Sequence, residues 1–167
     1  MSSYTDSQAP TSDERVPTTT TVVRETPASG ATVAFPAIPR SVPRARHFVE
    51  NLFARWGVGE GQTATASLLA SELVSNAVLH ADGTQDLRVT VRRSGQRVVV
   101  QVRDGDTRPT DRLTGASADE RAGRHGDQEG GRGLLLVAAL AQNWGVRPHS
   151  DGKTVWFALR LDACGPC

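Results

Sequence analysis

Apolar residues recur along the chain with two distinct periods. Ala45, Phe48, Val49, Leu52, Phe53 and Trp56 follow one another at three- and four-residue steps, which gathers them on one face of a helix. Ser41 stands where an N-cap is expected, Pro43 suits the first turn, and Gly57 ends the run. A second helix is expected from about Gln62 to His80, with Ala66, Leu69, Leu73 and Ala77 as its packing face. Asp82-Gly83 closes it. The period then shortens to two. Leu87, Val89 and Val91 alternate with polar residues, Ser94-Gly95 makes a turn, and Val98-Val99-Val100-Gln101-Val102 is the partner. This is a hairpin with the second strand more buried than the first.

Ala31 to Pro36 reads as a further short strand, with Pro36 favouring an edge position. No period is sustained from Thr107 to Gly130. Compact domains rarely carry so long a loop without a use, and a mobile lid is the expectation. Glu129-Gly130-Gly131-Arg132-Gly133 then leads into an apolar helix, Leu134 to Ala141. Asn143 to Val146 and Thr154 to Leu159 are the last strands, joined by a turn at Ser150-Asp151-Gly152. Helices and strands are segregated, not alternating. The expected fold is α+β, a two-layer α/β sandwich with helices on one face of a largely antiparallel mixed sheet. A Rossmann fold is excluded, because Gly131-x-Gly133 lacks the third glycine and does not follow a strand; no P-loop is present either.

Composition changes the picture mainly at the ends. Residues 1–30 are rich in Thr, Ser and Pro, cannot bury enough apolar surface to offset ordering entropy, and are expected to be disordered. The ordered domain is expected over 31–162. Residues 163–167 form a flexible tail that holds Cys164 and Cys167. The formal charge is +1, with 19 Lys and Arg. Lys153 is the single lysine, so 18 are arginine, scattered along the chain and read as background. Nothing here drives the chain globally toward nucleic acid or an anionic membrane. The longest apolar run is too short to span a bilayer and the N-terminal segment lacks the core of a secretory signal, so a cytoplasmic location is expected.

One stripe breaks the packing pattern. Glu72, Asn76 and His80 sit at i, i+4 and i+8 of the second helix, and therefore share a face. Asn costs roughly half a kcal/mol against Ala in a helix interior. Polar residues set against a local apolar pattern tend to mark functional sites. Asp104 ends the hairpin's second strand, where a turn-forming role is the plain alternative. The glycines at 130–133 can aim backbone N–H groups at an anion from a helix start.

Taken together, these segments resemble a known family. Glu72-x-x-x-Asn76 is similar to the N box of the GHKL ATPases, the superfamily of gyrase, sensor histidine kinases and the mismatch-repair MutL proteins. Val102-Arg103-Asp104-Gly105 resembles its adenine-binding box, Gly131-Arg132-Gly133-Leu134 its phosphate-binding glycine box, and Lys153-Thr154-Val155 its closing strand. The wording Ser71-Glu72-Leu73-Val74-x-Asn76-Ala77-x-x-His80, with Trp144-Gly145 and Thr154-Val155-Trp156-Phe157, is most similar to small actinobacterial anti-sigma-factor serine/threonine kinases. The resemblance implies the Bergerat fold, with ATP and Mg²⁺ as ligands. It implies that Asn76 coordinates Mg²⁺, that Glu72 orients or deprotonates the attacking hydroxyl, and that Asp104, beside Gly105, accepts from the adenine amine. It further implies that Gly131, Arg132, Gly133 and Leu134 hold the phosphates and that Thr154 lines the adenine side. The partners it implies are a sigma factor or an anti-sigma-factor antagonist, with room for a homodimer and no direct contact with nucleic acid or membrane. A non-catalytic ATP-responsive binding module is the alternative. The chain departs from the Asp-x-Gly that many members of the family carry, since Asp106 stands at the third position and the glycine is at 105.

Overall fold

The computed structural model describes residues 22–26, 30–80, 86–108 and 131–162. The elements are β1 (Val22–Thr26), β2 (Gly30–Pro36), α1 (Ser41–Arg55), α2 (Glu60–His80), β3 (Asp86–Ser94), β4 (Arg97–Asp104), α3 (Gly131–Leu140), β5 (Asn143–His149) and β6 (Gly152–Arg160). The strands form one six-stranded sheet in the order β1-β2-β3-β4-β6-β5. Every pairing is antiparallel. The expected α+β sandwich is observed, and the helices cover only one face of the sheet.

Alternation along the strands explains that one-sidedness. Leu87, Val89 and Val91 of β3, Val98, Val100 and Val102 of β4, and Val155, Phe157 and Leu159 of β6 all point to the same side and are buried. Their register partners keep them in phase: Val91 faces Val100 and Val100 faces Phe157. Val49, Leu52 and Phe53 of α1 and Leu69, Ala70, Leu73 and Val74 of α2 cover this surface and complete one continuous core. α2 runs through that core while carrying hydroxyls. Ser67 and Ser71 satisfy theirs by donating to the carbonyls of Thr63 and Ser67, one turn back.

Three expectations change. A strand, β1, lies at Val22–Thr26, inside the segment expected to be disordered through residue 30. Its backbone pairs with β2 from Thr26–Gly30 to Val22–Val33, satisfying polar groups that an edge would leave bare. β2 is therefore not the edge, although Pro36 lies beyond the reach of β1, where a missing N–H costs no ladder bond. Third, Ser41 does not cap α1. Arg40 holds that position without a side-chain bond. Ser41 is buried, and its hydroxyl donates instead to the Pro36 carbonyl at 2.6 Å, tying the helix start to the end of β2. The expected lid falls outside the described residues from 109 to 130, as do the tail at 163–167 and residues 1–21.

Phe157 has no exposed surface and sits where β6 meets the helices. Phe157→Ala removes that packing and leaves a cavity. It should lower unfolding free energy by about 3–5 kcal/mol in a denaturant titration. A loss below about 1 kcal/mol would mean that the site collapses around the smaller side chain.

Candidate functional site

The polar stripe of α2 faces α3 and the ends of β4 and β6. Leu73, Asn76, Ala77 and His80 of α2 line one pocket together with Val102 and Asp104 of β4, Leu134 of α3, and Lys153 and Val155 of β6. Glu72 stands beside it, under the first turn of α3. Gly133 makes this approach possible. A Cβ built on Gly133 would lie 2.5 Å from Glu72 Oε2 and 3.3 Å from Asn76 Nδ2, so any side chain there would push the two polar groups away. The start of α3, with its N–H groups unpaired within the helix, is thus packed against a carboxylate and an amide. Asn76 Nδ2 is buried and has no hydrogen-bond partner among the described residues. A buried amide left in that state costs on the order of 1–3 kcal/mol, which a ligand or ordered water would recover.

Opposite the stripe is a charged cluster. Asp104 and Lys153 are direct partners across β4 and β6, and both are buried. Gly152 allows this pairing. It has φ +144°, and a side chain there would run into the Asp104 carbonyl. Lys153 Nζ lies 3.6 Å from Asp104 Oδ2 and donates a short hydrogen bond to Asp106 Oδ2. Asp104 Oδ1 accepts from the Asp106 N–H at 3.0 Å. Arg108 closes the cluster from outside: its Nε donates to Asp106 Oδ1 at 2.7 Å and one Nη2 donates to the His80 carbonyl at 3.0 Å. The residues after β4 are so pinned to the C-terminal end of α2, where a cation is favoured.

Environment sets the ionisation of these groups. Burial pushes the Asp104 carboxyl above its ordinary range, against the pull of the Lys153 ammonium. The Arg108 guanidinium, seconded by Lys153, holds Asp106 far below that range. His80 is lowered, first by burial and then by Arg108 and Lys153, which favours the neutral imidazole. The void left between the lining residues is about 20 Å³, room for roughly one water molecule. A purine therefore enters only if lining side chains, Lys153 among them, move apart.

The structure brings Glu72, Asn76, Asp104, Gly133 and Leu134 together, with His80 at the pocket wall. Gly105 follows Asp104 and lies against Gly152. Gly131 and Arg132 begin α3. Thr154 is not in the pocket. Its hydroxyl is 2.9 Å from His149 Nε2, and its register partner is Arg103, on the face of the sheet away from the helices. Strand alternation sends Lys153 and Val155 to the pocket instead. That phase was available in the sequence, because Lys153 and Val155 are in step with Phe157 and Leu159.

Residues 35–159 match the histidine kinase-like ATPase domain family. The chain belongs to that family. Membership implies that this domain binds ATP, and it covers both the α2 stripe and the α3 glycines. One solved structure with a similar fold is the crystal structure of the SiaB-SiaC complex from Pseudomonas aeruginosa; 75% of this chain superposes on 88% of a chain there, with TM-score 0.55 and 13% sequence identity. At that identity the likeness concerns the fold. No curated protein matches the chain. Among the described residues, no helix of this ATPase-family chain is long and apolar enough to cross a membrane.

The depressed Asp106 carboxyl makes a pH prediction. A group whose folded-state pKa is lowered stabilises the fold above its unfolded value, 3.8, and loses that contribution as pH falls toward the folded value. Wild type should melt at a higher temperature than Asp106→Asn at neutral pH. The gap should narrow as the pH drops below about 4. Melting curves for both proteins across the acid range test this, and a gap that is constant with pH would remove the ion cluster as its source.

Proposed function

We propose that this chain is an ATP-binding regulatory protein that acts as an anti-sigma-factor serine/threonine kinase, passing the γ-phosphoryl of ATP to an antagonist protein. The observation that carries the reading is the packing of Glu72 and Asn76 against the glycine-led start of α3, with Asp104 in the same pocket. In this reading the Asp104 carboxylate accepts from the adenine amine, a contact that guanine, offering an oxygen there, would not supply. The first N–H groups of α3, at Gly131, Arg132 and Gly133, face the phosphates. The Asn76 amide, once turned to present its oxygen, suits Mg²⁺, a hard cation that takes few protein ligands beside phosphate and water. Bound there, Mg²⁺ would neutralise charge on the phosphate oxygens. Glu72 takes the proton of the acceptor hydroxyl, the hydroxyl oxygen bonds to the γ-phosphorus, and the bond from that phosphorus to the bridging oxygen breaks to release ADP. Such transfer depends mostly on positioning and charge stabilisation. Protein–protein regulation fits a fold whose neighbour was solved as a SiaB-SiaC complex. A cytoplasmic location fits a sigma-factor partner.

A second reading keeps the ATP site but not the transfer. Asp106, where many members of the family carry glycine, bridges Lys153 and Arg108 beside the pocket. Nucleotide would then act by displacing that bridge and changing affinity for a protein partner.

Four proteins separate these readings. Glu72→Ala should bind Mg·ATP within about threefold of wild type yet lose at least about a hundredfold in transfer to the antagonist, as expected for loss of a general base. Asn76→Ala should lose the Mg²⁺ dependence of ATP binding, and Asp104→Ala the preference for ATP over GTP. Calorimetry and transfer of labelled phosphate are the measurements. Full transfer by Glu72→Ala would remove that residue from the chemistry, and ATP binding without any transfer in wild type would favour the second reading.

A further inference from the structure

The uncovered face of the sheet collects the arginines that the sequence scatters. On β3, β4, β5 and β6 the residues out of phase with the core include Arg88, Arg92, Arg97, Arg103, Arg147 and Arg160. Register sets several side by side. Arg97 pairs directly with Arg160, and Arg88 with Arg103. Beyond Arg103 the same row continues through Thr154 to Arg147. Only Arg103 has a carboxylate partner among the described residues, Asp151, at 2.7 and 2.8 Å. The other five are exposed, and Asp86 stands only at the border, opposite Pro36. Like charges directly opposite on a sheet are destabilising. The fold bears that cost twice on one face, although the whole chain has a charge of only +1.

Between the two arginine rows lies a neutral strip. Thr90, Gln101, Trp156 and Gly145 run across it in register. Trp156 lies flat over Gly145: a Cβ on that glycine would be 3.1 Å from the indole. Arg97 and Arg103 are six residues apart on β4, so the rows are separated by about 20 Å at roughly 3.3 Å per residue.

We propose that this face docks an acidic protein segment, which sets an apolar side chain on Trp156 and carboxylates against the arginine rows on either side. Trp and Arg are the residue types that dominate interface energetics. The guanidinium fork meets a carboxylate with two parallel bonds. A second copy of the chain would bring like charges together. Successive nucleic-acid bases need successive rings to stack on, and among the described residues this face has the Trp156 indole and, at its far border and already bonded to Thr154, the His149 imidazole. The exposed large apolar residues, Ile38, Leu68, Leu79, Leu135 and Leu140, all lie in helices or the β2–α1 connection, so among the described residues none of them stands on this face beside Trp156 to insert into a bilayer. The surface is separate from the nucleotide pocket and stands whether or not that pocket transfers phosphate.

The test is selection of binders from a random-peptide library on the full chain, followed by affinity measurements on the enriched peptides. Enriched sequences should carry Asp and Glu on both sides of an aromatic or aliphatic residue. Their affinity should fall at least about tenfold for R97E/R160E and weaken as salt is raised. R97Q/R160Q should show a smaller loss in the same direction while melting no lower than wild type, because the like-charge pair is gone, and both variants should keep ATP binding. Asn76→Ala should bind the peptides like wild type, which separates failure of this surface from failure of the ATP site. Enrichment without acidic residues, or affinity untouched by both arginine variants, would overturn the proposal. So would oligothymidylate or anionic vesicles held more tightly than the best peptide through the same arginines.

Discussion

In an antiparallel sheet, successive side chains go to opposite faces, and helices are available here for only one of them. That constraint orders almost everything else. Residues in one phase had to be apolar, and Val89, Val100 and Phe157 are buried accordingly. Residues in the other phase met no helix and took up charge. The same rule places the candidate site. Asp104, Lys153 and Val155 belong to the inner phase but lie at the ends of β4 and β6, where the core gives way to a pocket. A polar group can stand in the inner phase there because α2 presents Asn76 and His80, not another leucine.

The pocket is held by close approach as much as by charge. Gly133 lets α3 settle onto Glu72, and Gly152 lets β6 press against the main chain at Asp104. Both glycines act by lacking a Cβ, and both bring a backbone to a carboxylate-bearing residue. Around them the charges are mutually dependent. Arg108 and Lys153 hold the Asp106 carboxyl low, while burial pushes the Asp104 carboxyl up against the pull of Lys153. Removing one member leaves another buried without compensation, a costly state in a low-dielectric site.

The helices were legible in the sequence because their apolar steps are long and regular, and the hairpin because its alternation is strict. The site was legible through residue types at fixed intervals: Glu72 with Asn76, then Asp104, then the glycines before Leu134. What was not legible depended on phase or on distant partners. Thr154 and Lys153 are neighbours, and a one-residue choice of face exchanges them. The hydroxyl of Ser41 was read as a local cap, yet its partner is the carbonyl of Pro36 at the end of the preceding strand. β1 has a sequence too short and polar to announce itself; what it gains is a neighbouring edge. The arginines looked scattered because their grouping exists only across strands.

Lys153 gives the pocket a property of its own. A ligand that takes the Asp104 carboxylate competes with a cation that cannot diffuse away, being attached to the wall of the same site. Such a tethered competitor has a local concentration set by the chain and not by the medium. Bulk salt, which screens exposed pairs, reaches a buried one far less. Entry of such a ligand would therefore exchange one partner of the Asp104 carboxylate for another, the ion pair with Lys153 at 3.6 Å for a ligand donor, and the buried charge need not stand bare between the two states.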